Sequence, residues 1–116
     1  MKVLFHIDQE SKWKMVLENV KNMIKTGKEL GDTFEIEIIA NGIAVMGVQE
    51  HVSISSKLYL EFEEILRDNV KIKACNNALK KFGIEKSCIC SFVEVVPAGV
   101  IEIAKKHEEG YCYIKA

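Results

Sequence analysis

Residues 70–83 read VKIKACNNALKKFG, and the order of residue types in this stretch sets the architecture. Val70 to Ala74 is a short strand-forming run, and Cys75 stands at its carboxyl end. Asn76 and Asn77 are good caps for a short helix through Ala78, Leu79 and Phe82, which Gly83 closes. The same succession of strand then helix recurs on both sides. Toward the amino terminus, Val3 to Ile7 is almost continuously apolar, as a strand buried on both faces should be. Asp8 or Ser11 is placed to cap the helix that follows, where Trp13, Val16, Leu17, Val20, Met23 and Ile24 form one apolar stripe. Gly27 or Gly31 ends that helix, and Phe34 to Ala40 makes a second strand running into the turn signal Asn41-Gly42.

Ile43 to Val52 is apolar without a clear period, so helix, strand and packed loop all stay open. Ser55 or Ser56 is expected to cap a helix carrying Leu58, Phe62, Ile65 and Leu66. Beyond residue 83, Val93 to Val96 reads as a fourth strand and Pro97 as the first turn of a helix through Val100, Ile103 and Ala104. Gly110 ends it, and Tyr111 to Ile114 is the last strand. Alternation of this kind implies a layered α/β/α sandwich with a mainly parallel sheet of about five strands and helices on both faces.

Composition narrows the function classes. The 116 residues hold 16 Lys+Arg against 17 Asp+Glu, a formal net charge of -1, which excludes a general electrostatic attraction to nucleic acid or anionic membrane. A 48% apolar content with one Pro is that of a single ordered domain over residues 1–116. The opening apolar run is interrupted by His6 and Asp8, too short for a signal-peptide core, and no apolar run approaches the ~20 residues that cross a bilayer. A cytoplasmic location follows as the expectation, with Cys75, Cys88, Cys90 and Cys112 as free thiols.

Ligands of open α/β sheets bind at the carboxyl ends of the strands. Three polar groups fall there: His6 with Asp8, Asn41 with Gly42, and Cys75 with Asn76 and Asn77. Cys75 precedes a helix whose unpaired amides favour a thiolate, and strand alternation puts Lys71 and Lys73 on its side. A nucleophile, a redox thiol or a sulfur carrier needs such a thiol, while a buried small hydrophobe is the other reading of the same position. Cys88-x-Cys90 lacks the spacing of a zinc pair, and no metal or cofactor is expected. Either cysteine could instead resolve an oxidised Cys75. His6 reads as a core histidine before a general base, Asp8 equally as cap or acid, and His51 and His107 as surface residues. Glu63-Glu64 and residues 105–109 read as solvated helix faces, and no nucleotide-binding loop or serine elbow is present.

Four stretches resemble the small single-domain DsrE-like proteins, the sulfur-relay group that includes YchN-like chains. They are Lys2-Val3-Leu4-Phe5-His6-Ile7-Asp8, Ile39-Ala40-Asn41-Gly42, Lys73-Ala74-Cys75-Asn76-Asn77-Ala78-Leu79, and Val95-Val96-Pro97-Ala98-Gly99-Val100-Ile101-Glu102 with Glu108-Glu109-Gly110-Tyr111. The resemblance implies the layered fold, a homotrimer or homohexamer, and a match of Cys75 to the cysteine that carries sulfur as a persulfide between donor and acceptor proteins. Asn41, Gly42, Asn76 and Asn77 are then the binding residues, the last two stabilising the sulfur anion through their amides. The chain departs from the family where Ile43-Ala44 follow Asn41-Gly42 in place of Pro and Gly. A non-enzymatic oligomeric binding module is the alternative, with the Trp13 helix and Ile43 to Val48 as its subunit contacts.

Overall fold

The structure, a computed structural model, describes residues 1–116. Five strands form one sheet: β1 Lys2–Ile7, β2 Glu35–Ala40, β3 Lys71–Cys75, β4 Val93–Val96 and β5 Cys112–Lys115. Their order is β4-β3-β2-β1-β5 and every pair is parallel. The three inner strands are buried along nearly their whole length, and Glu37 of β2 and Lys73 of β3 are buried with their apolar neighbours. Register aligns Ile7 with Ala40, Ala40 with Ala74 and Cys75 with Val96, so the loops after these strands leave the sheet side by side.

Five α-helices connect them: α1 Trp13–Leu30, α2 Glu50–Ser55, α3 Tyr59–Leu66, α4 Asn76–Lys81 and α5 Gly99–Glu108. One sheet face carries the main core. There Trp13, Val16, Leu17 and Val20 of α1, Phe62 and Ile65 of α3 and Leu79 of α4 pack on Val3, Phe5, Ile38 and Ile72. On the other face α5 sets Ile103 against a smaller cluster of Leu4, Ile39 and Val96. The layered α/β/α fold is as expected, and its sheet is wholly parallel.

Several helix starts differ from the sequence reading, at Asp8, Ser55 and Ser56 because the expected capping residue is taken by another partner. Asp8 does not cap α1: its carboxylate accepts a 2.8 Å hydrogen bond from Lys115 on β5. Ser11 lies inside a 3-10 turn over Glu10–Lys12 that leads into α1 without a side-chain cap. Gly31, at φ +78°, closes α1 by donating to the Gly27 and Lys28 carbonyls. Ser55 and Ser56 belong to the end of α2, where their hydroxyls donate back to the Val52 carbonyl at 3.1 and 2.8 Å. Leu58, not a serine, stands at the N-cap of α3. Pro97 lies outside α5, one residue before the N-cap Ala98.

The undecided stretch after Asn41 becomes a 3-10 run over Gly42–Val48 followed by α2. Trp13 dictates its course. The indole Nε1 donates to the Ala44 carbonyl at 2.8 Å while the ring stands edge-on to Phe62, centroids 5.2 Å apart. Trp13, Ala44, Val45, Gly47 and Val48 are therefore buried within their own chain, which removes these five from the expected subunit contacts, while Ile43 stays exposed. No helix is long and apolar enough to cross a membrane.

Candidate functional site

Cys75 is the last residue of β3 and the N-cap of α4, and only 6% of its surface is exposed. Helix α4 is six residues long and starts with no side-chain capping bond. Asn76 and Asn77 are thus its first helical residues and not its caps, which corrects the expectation for both. A helix this short contributes little dipole at Cys75. Neither expected cation serves the thiol. Lys71 is exposed, and the Lys73 ammonium sits 2.9 Å from Glu102, 3.0 Å from Glu37 and 3.2 Å from Glu94, held by three acidic side chains.

Asn41, after β2, and Gly99, the first residue of α5, instead converge on Cys75. A Cβ placed on Gly99 would stand 3.1 Å from Asn41 Cβ, 3.3 Å from Asn41 Nδ2 and 3.4 Å from Cys75 Cβ. The start of α5 has no side-chain cap, so its free amides face this carboxyl edge of the sheet. Asn41 Oδ1 lies 2.8 Å from His6 Nε2, and His6 Nδ1 lies 2.6 Å from the Tyr113 hydroxyl. An amide oxygen only accepts, so Nε2 donates to it and the Tyr113 hydroxyl donates to Nδ1. The Asp8–Lys115 ion pair, 2.8 Å long, joins the residue after β1 to the end of β5. Gly42 adopts φ +54°, and a Cβ there would press to 3.2 Å on the Asp8 carbonyl, so glycine lets the loop lie against the end of β1.

Of the expected residues, then, Asn41 and Cys75 both border Gly99. Gly42 shapes the backbone beside them, Asn76 is half-buried and Asn77 is exposed. His6, read as a core histidine, is instead the half-buried link between two polar side chains. Tyr113 and Gly99 were not singled out at all. Only the β1–β5 and β3–β4 register brings them in, and a single chain of residue types does not display register. His51 and His107 are exposed, as expected.

All four cysteines are free. Cys88 and Cys112 are exposed, whereas Cys90 is buried with its sulfur 3.4 Å from the Ser53 hydroxyl, and burial pushes its thiol up. No group of three or more His, Cys, Asp or Glu is arranged to hold a metal ion. Sizeable hollows lie elsewhere, one of about 450 Å³ beside Met23, Leu30 and Ile114 and one of about 380 Å³ between α1 and α3.

Comparison with known proteins supplies the context for this edge. The chain superimposes on a protein of unknown function, MTH1491 from Methanobacterium thermoautotrophicum, with a TM-score of 0.84 and 27% identity, covering 99% of this chain and 98% of that one. It shares the fold of BT1422, a conserved protein of unknown function from Bacteroides thetaiotaomicron, at a TM-score of 0.74 and 20% identity, covering 99% and 94% of the two chains. A comparison with curated proteins finds no match. The strand-to-helix step at Cys75, the Asn41 loop and the α5 start at Gly99 all lie within a family match that spans residues 1–116, and by that match the chain belongs to the DsrE/DsrF-like family.

Proposed function

We propose that the protein is a cytoplasmic sulfur carrier or sulfurtransferase that holds sulfane sulfur on Cys75. The observation that carries this reading is the placement of Cys75 at the carboxyl edge of the sheet, where Gly99 at the uncapped start of α5 borders both Cys75 and Asn41. Membership of a family associated with sulfur relay supports it. The Cys75 thiolate attacks the outer sulfur of a donor persulfide. A new S–S bond forms to Cys75, the donor's S–S bond breaks, and the donor leaves as a thiolate. An acceptor thiolate then attacks the outer sulfur, takes it as its own persulfide and returns Cys75 to the thiolate. Neither step needs an oxidant or a metal. Amide donors at this edge stabilise the anion at each stage, as preorganised donors do wherever charge develops. Self-association as a trimer or hexamer belongs to the same proposal, supported by exposed Ile43, Val100, Ile101 and Tyr113 near that edge.

Intact mass after incubation with a persulfide donor tests the reading. The parent chain is expected to gain the mass of one or more sulfur atoms, released by reductant, and Cys75→Ser to gain none. A second reading, an oligomeric binding module without sulfur chemistry, draws on the same exposed apolar residues. Equal sulfur gain by the two chains overturns the role of Cys75, and no gain by either while both remain folded oligomers selects the second reading.

A further inference from the structure

Cys75 has 6% of its surface exposed, so a reactant reaches its thiol only when the cover over it moves. That cover is α5. Strand alternation turns Cys75 to the same face as Lys73, whose ammonium donates to Glu102 of α5, and a Cβ on Gly99 would stand 3.4 Å from Cys75 Cβ. The helix is lightly held. Of its ten residues only Gly99 and Glu102 are buried, and Ile103 alone packs on the cluster of Leu4, Ile39 and Val96. The rest of its hold is charge: Lys73 meets Glu102 at 2.9 Å, and Lys106 Nζ lies 3.9 Å from Glu37 of β2.

Glu37 is the weak point of that hold, because its carboxyl is buried and neither oxygen has an aligned donor. Facing it are Lys73 of β3 at 3.0 Å, and Glu102 and Lys106 of α5, while its neighbour across on β1 is Leu4. Lys71, its register partner on β3, is exposed, as is Glu35 on β2. Farther out, Glu94 of β4 lies 3.2 Å from Lys73, Glu109 lies 3.4 Å from Lys106, and the Tyr111 ring centroid is 5.2 Å from Lys106 Nζ. We propose that α5 is a proton-gated cover: with Glu37 protonated it lies closed over Cys75, and release of that proton to solvent lets it rise and admits reactants to the thiol. A neutral carboxyl tolerates a site without aligned donors. A carboxylate needs donors or water, and water reaches it when α5 lifts. Burial, reinforced by Glu102, raises the Glu37 carboxyl to about 7, so the closed form holds a proton that the open form has released, and closure weakens as pH rises through 7. The gate governs access to Cys75 whatever reacts there, and rests on the sulfur-carrier reading only for the reaction it serves.

Iodoacetamide labelling and hydrogen exchange read the gate without any sulfur donor. The Cys75 thiolate displaces iodide, forming a C–S bond as the C–I bond breaks, and fragment mass spectrometry separates Cys75 from exposed Cys88 and Cys112 and from buried Cys90. Dividing the parent rate by that of Glu37→Gln at the same pH removes the ionisation of the thiol itself. This ratio is expected to be about tenfold higher at pH 8 than at pH 6, because only the parent loses a proton between them. Glu37→Leu, equally unable to titrate, is expected to give the same result and replaces the glutamine variant should that one not fold, as checked by circular dichroism. Cys90 belongs to the main core and reads global unfolding. Cys75 is therefore expected to react faster than Cys90 and to ignore dilute urea that speeds Cys90. In the parent alone, the α5 amides should lose about tenfold in protection from pH 6 to pH 8, after correction for intrinsic rates, and stay less protected than those of α1. A parent-to-variant ratio level with pH, α5 protection level with pH, or Cys75 and Cys90 reacting together with one urea dependence overturns the proposal. Opening as expected in a chain that takes up no sulfur retires the sulfur reading alone. Sulfur uptake on Cys75 beneath a cover indifferent to pH retires the gate alone.

Discussion

Gly99 shows how much one hydrogen in place of a side chain can decide. Its hypothetical Cβ meets atoms at 3.1 to 3.4 Å, close enough that Asn41 must give way by a few tenths of an ångström but without a collision that would unseat α5. Gly99→Ala is therefore expected to fold, with a loss of about 1 kcal/mol or less in thermal denaturation. Iodoacetamide labelling of Cys75 should nevertheless slow severalfold, because the added methyl group narrows the approach to Cys75, whose Cβ stands 3.4 Å from it. Parent-like labelling in a folded Gly99→Ala chain would show that the contact does not limit access. The two ends of the His6 link illustrate what the sequence withholds. His6 interrupts an apolar strand, which equally suits a satisfied core histidine, and its partners stand 35 and 107 residues away.

At the scale of elements, the inner strands and α1 were readable because burial on both faces and a single apolar stripe each leave a pattern in neighbouring residues. N-terminal caps were not readable, since Asp8 answers to Lys115 and Ser55 and Ser56 to Val52, choices made by tertiary approach and backbone course. The 3-10 run over Gly42–Val48 was illegible for a further reason: its shape is imposed by an indole from another element. Gly47 is the point of contact, where a Cβ would lie 2.5 Å from Trp13 Nε1 and 2.6 Å from Cδ1. Neither the buried ring nor the run can move away freely, and displacing the indole also strains its bond to the Ala44 carbonyl. Gly47→Ala should cost about 1–3 kcal/mol in urea denaturation, as overpacking of a filled core does. A loss under about 0.5 kcal/mol would mean the run shifts without cost and the indole does not pin it.

The molecule as a whole is asymmetric across its sheet, and the thinner side holds its least comfortable groups. Glu37, Lys73 and Glu102 lie between the sheet and α5 with 1%, 9% and 8% of their surface exposed. Neither carboxyl oxygen of Glu37 has an aligned hydrogen-bond donor, although Lys73 Nζ approaches to 3.0 Å and Lys106 Nζ to 3.9 Å. Burial, reinforced by Glu102, pushes the Glu37 carboxyl up to about 7. Burial also acts to raise Glu102, but the neighbouring Glu37 carboxyl and the Lys73 ammonium outweigh it and hold Glu102 below the ordinary value. One proton is thus shared by the pair and resides on Glu37. Between the ordinary carboxylate value of 4.5 and about 7, the folded chain keeps a proton that the unfolded chain has released. Stability from this group is therefore complete at low pH and is lost as pH rises through 7, about 2 kcal/mol between pH 5 and pH 8. Glu102 and Lys73 keep their charges across that window in both states, so the slope belongs to Glu37. A glutamine at this position is shaped like the protonated acid, donating to Glu102 and accepting from Lys73. Glu37→Gln is accordingly expected to match the parent within about 0.5 kcal/mol at pH 5 and to exceed it by about 2 kcal/mol at pH 8, measured by denaturant unfolding at both. Parallel pH profiles for the two chains would place the proton elsewhere, with Glu37 ionised throughout and held by Lys73 alone.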